Sequence, residues 1–280
     1  MKTPHLTPFE LDVFEHCQQL FNTIDIINDV PFPVIGLKEG LYIQVISLSK
    51  LSPSPDLTYF QNIADDFATK NQQIIFLWED LWVTKRAIVL SRLQSYAQAS
   101  TKIHGRETIC SRIDKKTFFD FLTENHLQLP ANGKFKFGLF LKDQLVAVAG
   151  FSSPKKYYRD DQVSKSSELV RFCNIQGHTV IGGFDKILKH YTSNHEVDDI
   201  MSYADRDWST GKSYEKIGFN KIENTPAISF WIHQKEMKRI FQHQAFSQLG
   251  TDDEKTLINK GYQKITNSGN IKYIKFLSKN

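Results

Sequence analysis

Apolar and polar positions repeat with two different periods along this chain, and these periods predict its helices and strands. Apolar residues three and four positions apart indicate helices at residues 9–20, 84–98 and 115–125. Short apolar runs rich in β-branched residues indicate buried strands at residues 41–48 and 73–78. Strand and helix therefore alternate in the first third of the chain, with Asp56 as the expected cap of a helix that ends near Lys70. This order favours an α/β layer.

The middle of the chain continues the mixed pattern. Two apolar runs around the turn Lys142-Asp143 predict a hairpin at residues 135–141 and 144–151. A polar stretch at residues 152–167 is expected to be a mobile loop. Glu168 then stands at the head of the next predicted strand. Further strands are expected at residues 108–113, 168–174, 199–204 and 229–232, with helices at 182–191 and 210–217.

The C-terminal part is expected to be a helix and a hairpin that pack on the middle region and close it. Residues 235–248 suggest a basic helix, and Asn267-Ser268-Gly269-Asn270 signals a hairpin between strands at residues 262–265 and 271–276. The pattern predicts three regions: residues 1–102, 103–232 and 233–280.

Composition changes this picture little. The 280 residues carry 35 basic and 31 acidic side chains, a net charge of +4 that neither requires nor excludes a nucleic-acid partner. The three cysteines are far apart and form no zinc-binding spacing, so we expect no metal site and a reducing, cytoplasmic environment. No apolar run approaches the length of a membrane span, and oligomeric state is left open.

A glycine pair marks the first candidate site. Val180, Ile181, Gly182 and Gly183 lie between a predicted strand and a predicted helix. Glycine lets a ligand approach the backbone, and the first N–H groups of a helix attract anions such as a pyrophosphate. An ordinary strand-to-helix turn explains the same residues.

Tyr214 and Glu168 are the candidates for acid–base chemistry. The phenol of Tyr214, on a short helix, would protonate a leaving thiolate, and the Glu168 carboxylate would take a proton from an amine. A packed aromatic ring and a solvated glutamate are the structural alternatives.

In this order, these motifs resemble the second half of a GNAT acyltransferase. The matching segments are residues 168–173, 182–183, 202–205 and 214–219, and residues 138–151 resemble the central hairpin of that fold. The resemblance implies that acetyl-CoA or another acyl-CoA binds with its pyrophosphate at the glycine turn. It also implies that a nearby β-bulge receives the acyl-amide and that Tyr214 is the general acid.

Nearly the whole chain also resembles phage and mobile-element proteins in which a very-short-patch-repair-type nuclease domain precedes a GNAT-like domain. The segments that carry this resemblance include residues 76–82, 121–128 and 267–273. Such a nuclease needs paired carboxylates for Mg²⁺. Here Gln44 stands where glutamate is expected, and Phe32-Pro33 occupy the place of the aspartate. We therefore expect a degenerate nuclease-like layer.

These expectations leave several functions open. The first is an acyl-CoA-dependent N-acyltransferase that acts on a small-molecule or protein amine. The second is a non-catalytic nucleic-acid-binding protein derived from a mobile-element nuclease. It would use Lys155, Lys156, Tyr157, Tyr158 and Arg159 to contact phosphates and stack on bases, and a solvated loop is the structural alternative for those residues. The third is an interaction scaffold.

Overall fold

The computed structural model describes residues 6–21, 25–28, 31–51, 55–159, 162–251 and 253–277. Its helices are α1 (Pro8–Leu20), α2 (Tyr59–Thr69), α3 (Glu79–Tyr96), α4 (Lys115–Asn125), α5 (Gly183–Asn194), α6 (Lys212–Glu215), α7 (Gln242–Leu249) and α8 (Glu254–Asn259). Short 3₁₀ turns occur at Leu48–Lys50 and Gly105–Glu107.

The first strands are β1 (Asp25–Asn28), β2 (Val34–Lys38), β3 (Leu41–Ile46), β4 (Gln73–Trp78), β5 (Thr101–His104), β6 (Ile109–Arg112), β7 (Phe135–Leu141) and β8 (Gln144–Phe151). They are followed by β9 (Lys155–Arg159), β10 (Gln162–Asn174), β11 (His178–Ile181), β12 (Asp199–Asp205), β13 (Asn220–Asn224), β14 (Ser229–His233), β15 (Lys238–Phe241), β16 (Tyr262–Thr266) and β17 (Asn270–Phe276). The chain is thus mixed α/β, as its pattern predicts.

Two compact units make up the chain, and neither is one continuous stretch of sequence. The first comprises Met1–Arg86, Asp205–Gly211 and Asn224–Ile271, and the second comprises Ala87–Ala204, Lys212–Glu223 and Lys272–Asn280. The boundaries predicted near residues 102 and 232 do not coincide with these units, because the chain passes repeatedly from one to the other. Most of the predicted C-terminal region belongs to the first unit.

The first unit contains two small sheets. One has the order β1-β2-β3-β4, in which β3 and β4 are parallel, and the other has the order β15-β14-β16. Helix α1 begins with a capping box, in which Thr7 and Glu10 each satisfy the backbone N–H of the other. Asp56 is not the helix cap that the sequence suggested. It accepts the N–H of Thr58 in the turn before α2, and Thr58 is the residue that precedes the helix.

Two elements near the C-terminus differ from the prediction. The expected helix at residues 235–248 is a strand, β15, followed by the shorter helix α7, because Ile240 and its neighbours pair with β14. The expected hairpin is absent, since β16 pairs with β14 whereas β17 lies between β12 and β13. Polar contacts explain why the connection does not fold back: the Asn267 amide oxygen accepts the Ile228 N–H at 2.7 Å, and Ser268 donates to Asp207.

The second unit is built on an eight-stranded sheet. Its order is β13-β17-β12-β10-β8-β7-β6, with β9 paired to β10 outside this path. The hairpin β7–β8 has the predicted bounds. Helix α4 packs Phe118 against Val148 on one face of the sheet. Helix α5 lies on the other face, where Tyr191 stacks on Phe151 with ring centroids 4.0 Å apart.

The polar stretch predicted as a mobile loop is largely a second hairpin. Strand β9 pairs antiparallel with the first part of β10, and Tyr158 lies opposite Val163. Tyrosine and valine favour strands, and they stabilise each other when they lie opposite one another on paired strands. The many polar residues of this segment masked that strand signal in the sequence. Glu168 consequently lies in the middle of a 13-residue strand and not at its head.

Candidate functional site

The parallel strands β10 and β12 pair over only part of their length. Their register runs from Ser166 opposite Asp199 to Leu169 opposite Ser202. Beyond these residues, β10 continues to Asn174 and β12 to Asp205 without further pairing to each other. The register between β10 and β8 also shifts between Leu169 and Arg171, which makes Val170 a β-bulge. A gap and a bulge therefore occur at the same point of the sheet.

Strand alternation assigns the side chains near this gap to two faces. Leu169 lies opposite Phe151, whose ring stacks on α5, so Leu169 and its parallel partner Ser202 face α5. Glu168 and its partner Met201 point to the other face.

Tyr214 lies on the α5 face, at the end of the paired region. The Oγ atom of Ser202 is 3.1 Å from the Tyr214 hydroxyl oxygen and 3.1 Å from the Leu169 carbonyl oxygen. Serine has one proton, so it donates to one of these oxygens at a time. When it donates to Leu169, the phenol is free to donate to Ser202.

Aromatic rings hold Tyr214 in place. Its ring stacks on that of Tyr273, and Phe184 and Phe219 approach it edge-on with centroids 5.4 Å away in each case. Burial raises the pKa of Tyr214, although the hydrogen bond from Ser202 and the charge of Arg171 act in the opposite direction. The phenol therefore stays protonated at neutral pH, the state that a general acid requires.

Glu168 and Tyr214 do not meet on one face of the sheet. The Glu168 backbone pairs with Ser152, whose Oγ accepts the Glu168 N–H at 2.9 Å. Its side chain points away from α5, whereas the Tyr214 hydroxyl lies on the α5 side.

The glycine turn has the predicted place between strand and helix. Val180 is buried at the end of β11, Ile181 is exposed, and Gly182 precedes α5 with φ +73°. Among the described residues, the N–H groups of Gly183, Phe184 and Asp185 have no hydrogen-bond partner, as expected for the first turn of a helix.

The two glycines of this turn have different roles. A Cβ on Gly183 would lie 2.7 Å from Val180 Cγ1 and 3.0 Å from Leu139 Cδ1, so glycine is needed there for packing. A Cβ on Gly182 would meet nothing within 4 Å. A ligand that approaches the turn would therefore come from the side of Gly182.

Charges around the turn do not all favour an anion. Asp185 adds a carboxylate to the first turn of α5 and pairs with Lys189 at 2.7 Å. The ammonium of Lys186 donates to the carbonyl groups of Gly105, at 2.9 Å, and Thr108. The backbone, rather than a basic side chain of this turn, would have to hold a pyrophosphate.

Sequence reasoning overlooked two features of the site. Ser202, which contacts Tyr214, lies within the motif at residues 202–205, but its position beside Tyr214 depends on the pairing of β10 with β12. Asp185 was visible beside the glycine pair, yet its effect depends on where α5 begins.

Other site predictions have mixed outcomes. Lys155, Lys156, Tyr157 and Tyr158 are exposed on the edge strand β9, while the Arg159 side chain lies outside the described residues. Nucleic-acid binding by this segment stays a prediction.

In the described part of the chain, no three His, Cys, Asp or Glu side chains are grouped to hold a metal ion. No helix there is long and apolar enough to cross a membrane.

Comparison with known proteins gives distant structural similarities. No protein-family model and no curated protein matches the chain. Solved structures similar to it include a histone acetyltransferase-related acetyltransferase from Corynebacterium glutamicum (11% identity, 62% of this chain and 98% of that chain, TM-score 0.38). A Bacillus subtilis acetyltransferase in complex with CoA is similar at 14% identity (61% and 99% covered, TM-score 0.35). A GNAT family acetyltransferase from Elizabethkingia anophelis with acetyl-CoA bound is similar at 11% identity (61% and 99% covered, TM-score 0.33). Similarities this distant assign no activity.

Proposed function

We propose that the second unit is a GNAT-type N-acyltransferase that moves an acyl group from acetyl-CoA or another acyl-CoA to an amine. The observation that carries this proposal is the position of the Tyr214 hydroxyl. It lies 3.1 Å from Ser202, the residue at which β10 and β12 stop pairing, beside the bulge at Val170. A general-acid tyrosine and a nearby bulge are parts that the sequence resemblance implies, and the gap between β10 and β12 lies beside them.

Each residue has a defined task in this reaction. Glu168 would take one proton from the ammonium form of the acceptor and release it to solvent, which leaves the neutral amine to attack the thioester carbonyl carbon. Tyr214 would give its proton to the departing sulfur as the new amide bond forms. The nitrogen releases a second proton when the adduct collapses, so the phenol is restored and no external acid is needed. The gap between β10 and β12 is where Glu168 and Tyr214 can serve the same carbonyl group.

The backbone of the turn fits the anionic end of an acyl-CoA, which supplies the activated thioester. The unpaired N–H groups of Gly183, Phe184 and Asp185 carry the partial positive charge of a helix N-terminus. The open side of Gly182 leaves room for phosphate oxygens. The Asp185 carboxylate opposes such binding, so we expect acyl-CoA affinity to be modest.

Gly182→Asp is the direct test of this site. Aspartate tolerates positive φ better than most residues, and its charge would repel a pyrophosphate at the turn. The matched control is Gly40→Asp, because Gly40 also has positive φ (+71°) and open space around it but lies in the first unit. We expect Gly182→Asp to raise the calorimetric Kd for acetyl-CoA at least about tenfold. The melting temperature of the Gly182→Asp protein should be similar to that of the Gly40→Asp control.

Two outcomes would contradict the proposal. If wild-type protein binds neither acetyl-CoA nor a longer acyl-CoA, the acyltransferase assignment fails. If it binds acetyl-CoA but Gly182→Asp binds it equally well, the cofactor lies elsewhere. A thermal-shift screen that includes single- and double-stranded DNA would show whether the nucleic-acid alternative replaces it.

A further inference from the structure

Four cationic side chains form a basic corner in the second unit, where the edge strand β6, the start of β7 and the start of α4 meet. They are Arg112, Lys115, Lys134 and Lys136. The backbone joins these elements, since the Ile113 N–H donates to the Lys136 carbonyl oxygen at 3.1 Å. Burial lowers the pKa of Lys136, and the charges of Lys115, Lys134 and Arg112 lower it further. The four cations are therefore close enough to repel one another.

Carboxylates do not neutralise the basic corner. Residues 109–120 and 133–137 contain five basic and two acidic side chains, a net charge of +3. Of the two acidic residues, Asp120 pairs with Lys116 at 2.6 Å, and Asp114 caps the N-terminus of α4. Within the part of the chain that the structure describes, no ion pair includes any of the four cations of the corner. The corner thus presents uncompensated positive charge to solvent.

The cations are spread over both sides of the sheet edge. Arg112 lies opposite Phe137, whose ring packs against α5, and its guanidinium carbon is 5.6 Å from the centroid of the Phe135 ring. Lys136 lies opposite Gly150, where a Cβ would meet a ring of α4, so Lys136 is on the other side. A small anion would reach only part of this surface, whereas a linear polyanion that crosses the edge would contact cations on both sides.

The basic corner is separate from the glycine turn proposed for acyl-CoA. Phe135, beside the corner, packs on His195 with ring centroids 4.1 Å apart, and His195 follows the last residue of α5. The glycine turn precedes the same helix, whose 12 residues span roughly 18 Å. A ligand of the corner therefore does not depend on acyl transfer.

We propose that the basic corner binds the phosphate backbone of single-stranded nucleic acid, without regard to base sequence. Phosphates that contact the cations release counterions, which is the main source of such sequence-independent affinity. Phe135 holds the Arg112 guanidinium over its ring, and the outer side of this planar group stacks on an unpaired base. An acidic peptide offers the charges without bases, and a duplex offers phosphates without unpaired bases.

Fluorescence anisotropy of a labelled oligothymidylate, titrated with the full-length protein at several salt concentrations, tests the proposal. Arg112→Gln and Lys136→Gln should each raise the Kd at least about threefold. Each should also reduce the slope of log K against log salt by about 0.7, the share of one phosphate contact. Arg112→Lys keeps the charge but lacks the planar guanidinium, so the Kd should rise while the slope stays nearly unchanged.

Lys142→Asn is the matched control. It removes one positive charge from the exposed turn at the other end of β7, and asparagine tolerates the positive φ of that position (53°). Its Kd and salt slope should equal those of the wild type. All variants should keep the wild-type melting temperature, because none of these side chains is fully buried.

Several results would overturn the proposal. Absence of oligothymidylate binding by the wild type at low salt would refute it directly. Equal changes in Lys136→Gln and Lys142→Asn would show that only the overall charge matters. Competition by polyglutamate as strong as that by unlabelled oligothymidylate would assign the corner to acidic protein segments. Equal affinity for a duplex of the same length, with Arg112→Lys unchanged, would refute the contact with an unpaired base.

Discussion

The ring of Tyr214 stacks on the ring of Tyr273, with centroids 5.2 Å apart and planes 10° from parallel. This stack leaves the Tyr214 hydroxyl directed at Ser202, where it has a polar partner at the end of the paired strands. The same tyrosine is therefore a packed ring and, in the proposed reaction, a proton donor, and these two roles can be separated by removing only the oxygen.

Tyr214→Phe is expected to lower kcat about 10²- to 10⁴-fold, the usual contribution of a general acid. The ring contacts are kept, so the melting temperature and the acyl-CoA affinity should change little. Thiol release from acetyl-CoA, by acetyl transfer to a lysine derivative or by slow hydrolysis, gives the readout. Normal turnover together with a stability loss of about 1 kcal/mol would identify Tyr214 as a purely structural residue.

Asp185→Asn should strengthen acyl-CoA binding. A carboxylate in the first turn of α5 favours the folded helix but repels an anion at the same N-terminus. We expect Kd to fall about two- to fivefold at low salt, and the difference to shrink as salt screens the charge. Lys189→Gln, which removes the partner of Asp185, is the matched control and should weaken binding. If Asp185→Asn leaves calorimetric affinity unchanged at low salt, the pyrophosphate does not lie at this helix end.

Asp207 gives the first unit a pH-dependent stability. Burial raises the pKa of this carboxyl to about 7, and the nearby Asp205 adds to the effect, although hydrogen bonds from Ser268 and the charge of Arg239 oppose it. The folded protein therefore holds a proton that the unfolded chain, with a pKa of about 3.9, releases. This group's contribution is fully present below about pH 4 and is lost as pH rises to about 7.

Urea unfolding between pH 4 and 8 checks that expectation. The stability of the wild type relative to Asp207→Asn should fall across this window and then level off. Parallel stability curves for the two proteins would show that Asp207 does not titrate there.

The first unit is expected to lack metal-dependent nuclease activity. Gln44 is 2% exposed on β3, and a neutral amide cannot replace the carboxylate pair that Mg²⁺ requires. Plasmid DNA incubated with the protein and Mg²⁺ or Mn²⁺ should remain uncut. Cleavage in independent preparations that disappears with Gln44→Ala would contradict this prediction. Kinship with very-short-patch-repair nucleases itself stays a prediction.

The sequence alone determined the elements whose signals are local. The bounds of β4, α4, β7 and β8 follow from apolar periodicity and turn residues, because each pattern is complete within about ten residues. The glycine turn before α5 was located in the same way. Local signals failed at β9 and β15, where polar composition or helical spacing concealed strands that form only when a neighbouring strand pairs with them.

Tertiary structure decided the composition of the candidate site. Ser202 meets Tyr214 only because β12 pairs with β10 in a register that ends at Ser202. Glu168 is separated from Tyr214 because the alternation of side chains along β10 places Glu168 on the opposite face of the sheet. Strands β16 and β17 do not form the predicted hairpin, because Ser268, which lies between them, donates buried hydrogen bonds to Asp207. These two residues are 61 positions apart in the sequence. A contact across such a separation depends on how the whole chain packs, so no local pattern of residues could have specified it.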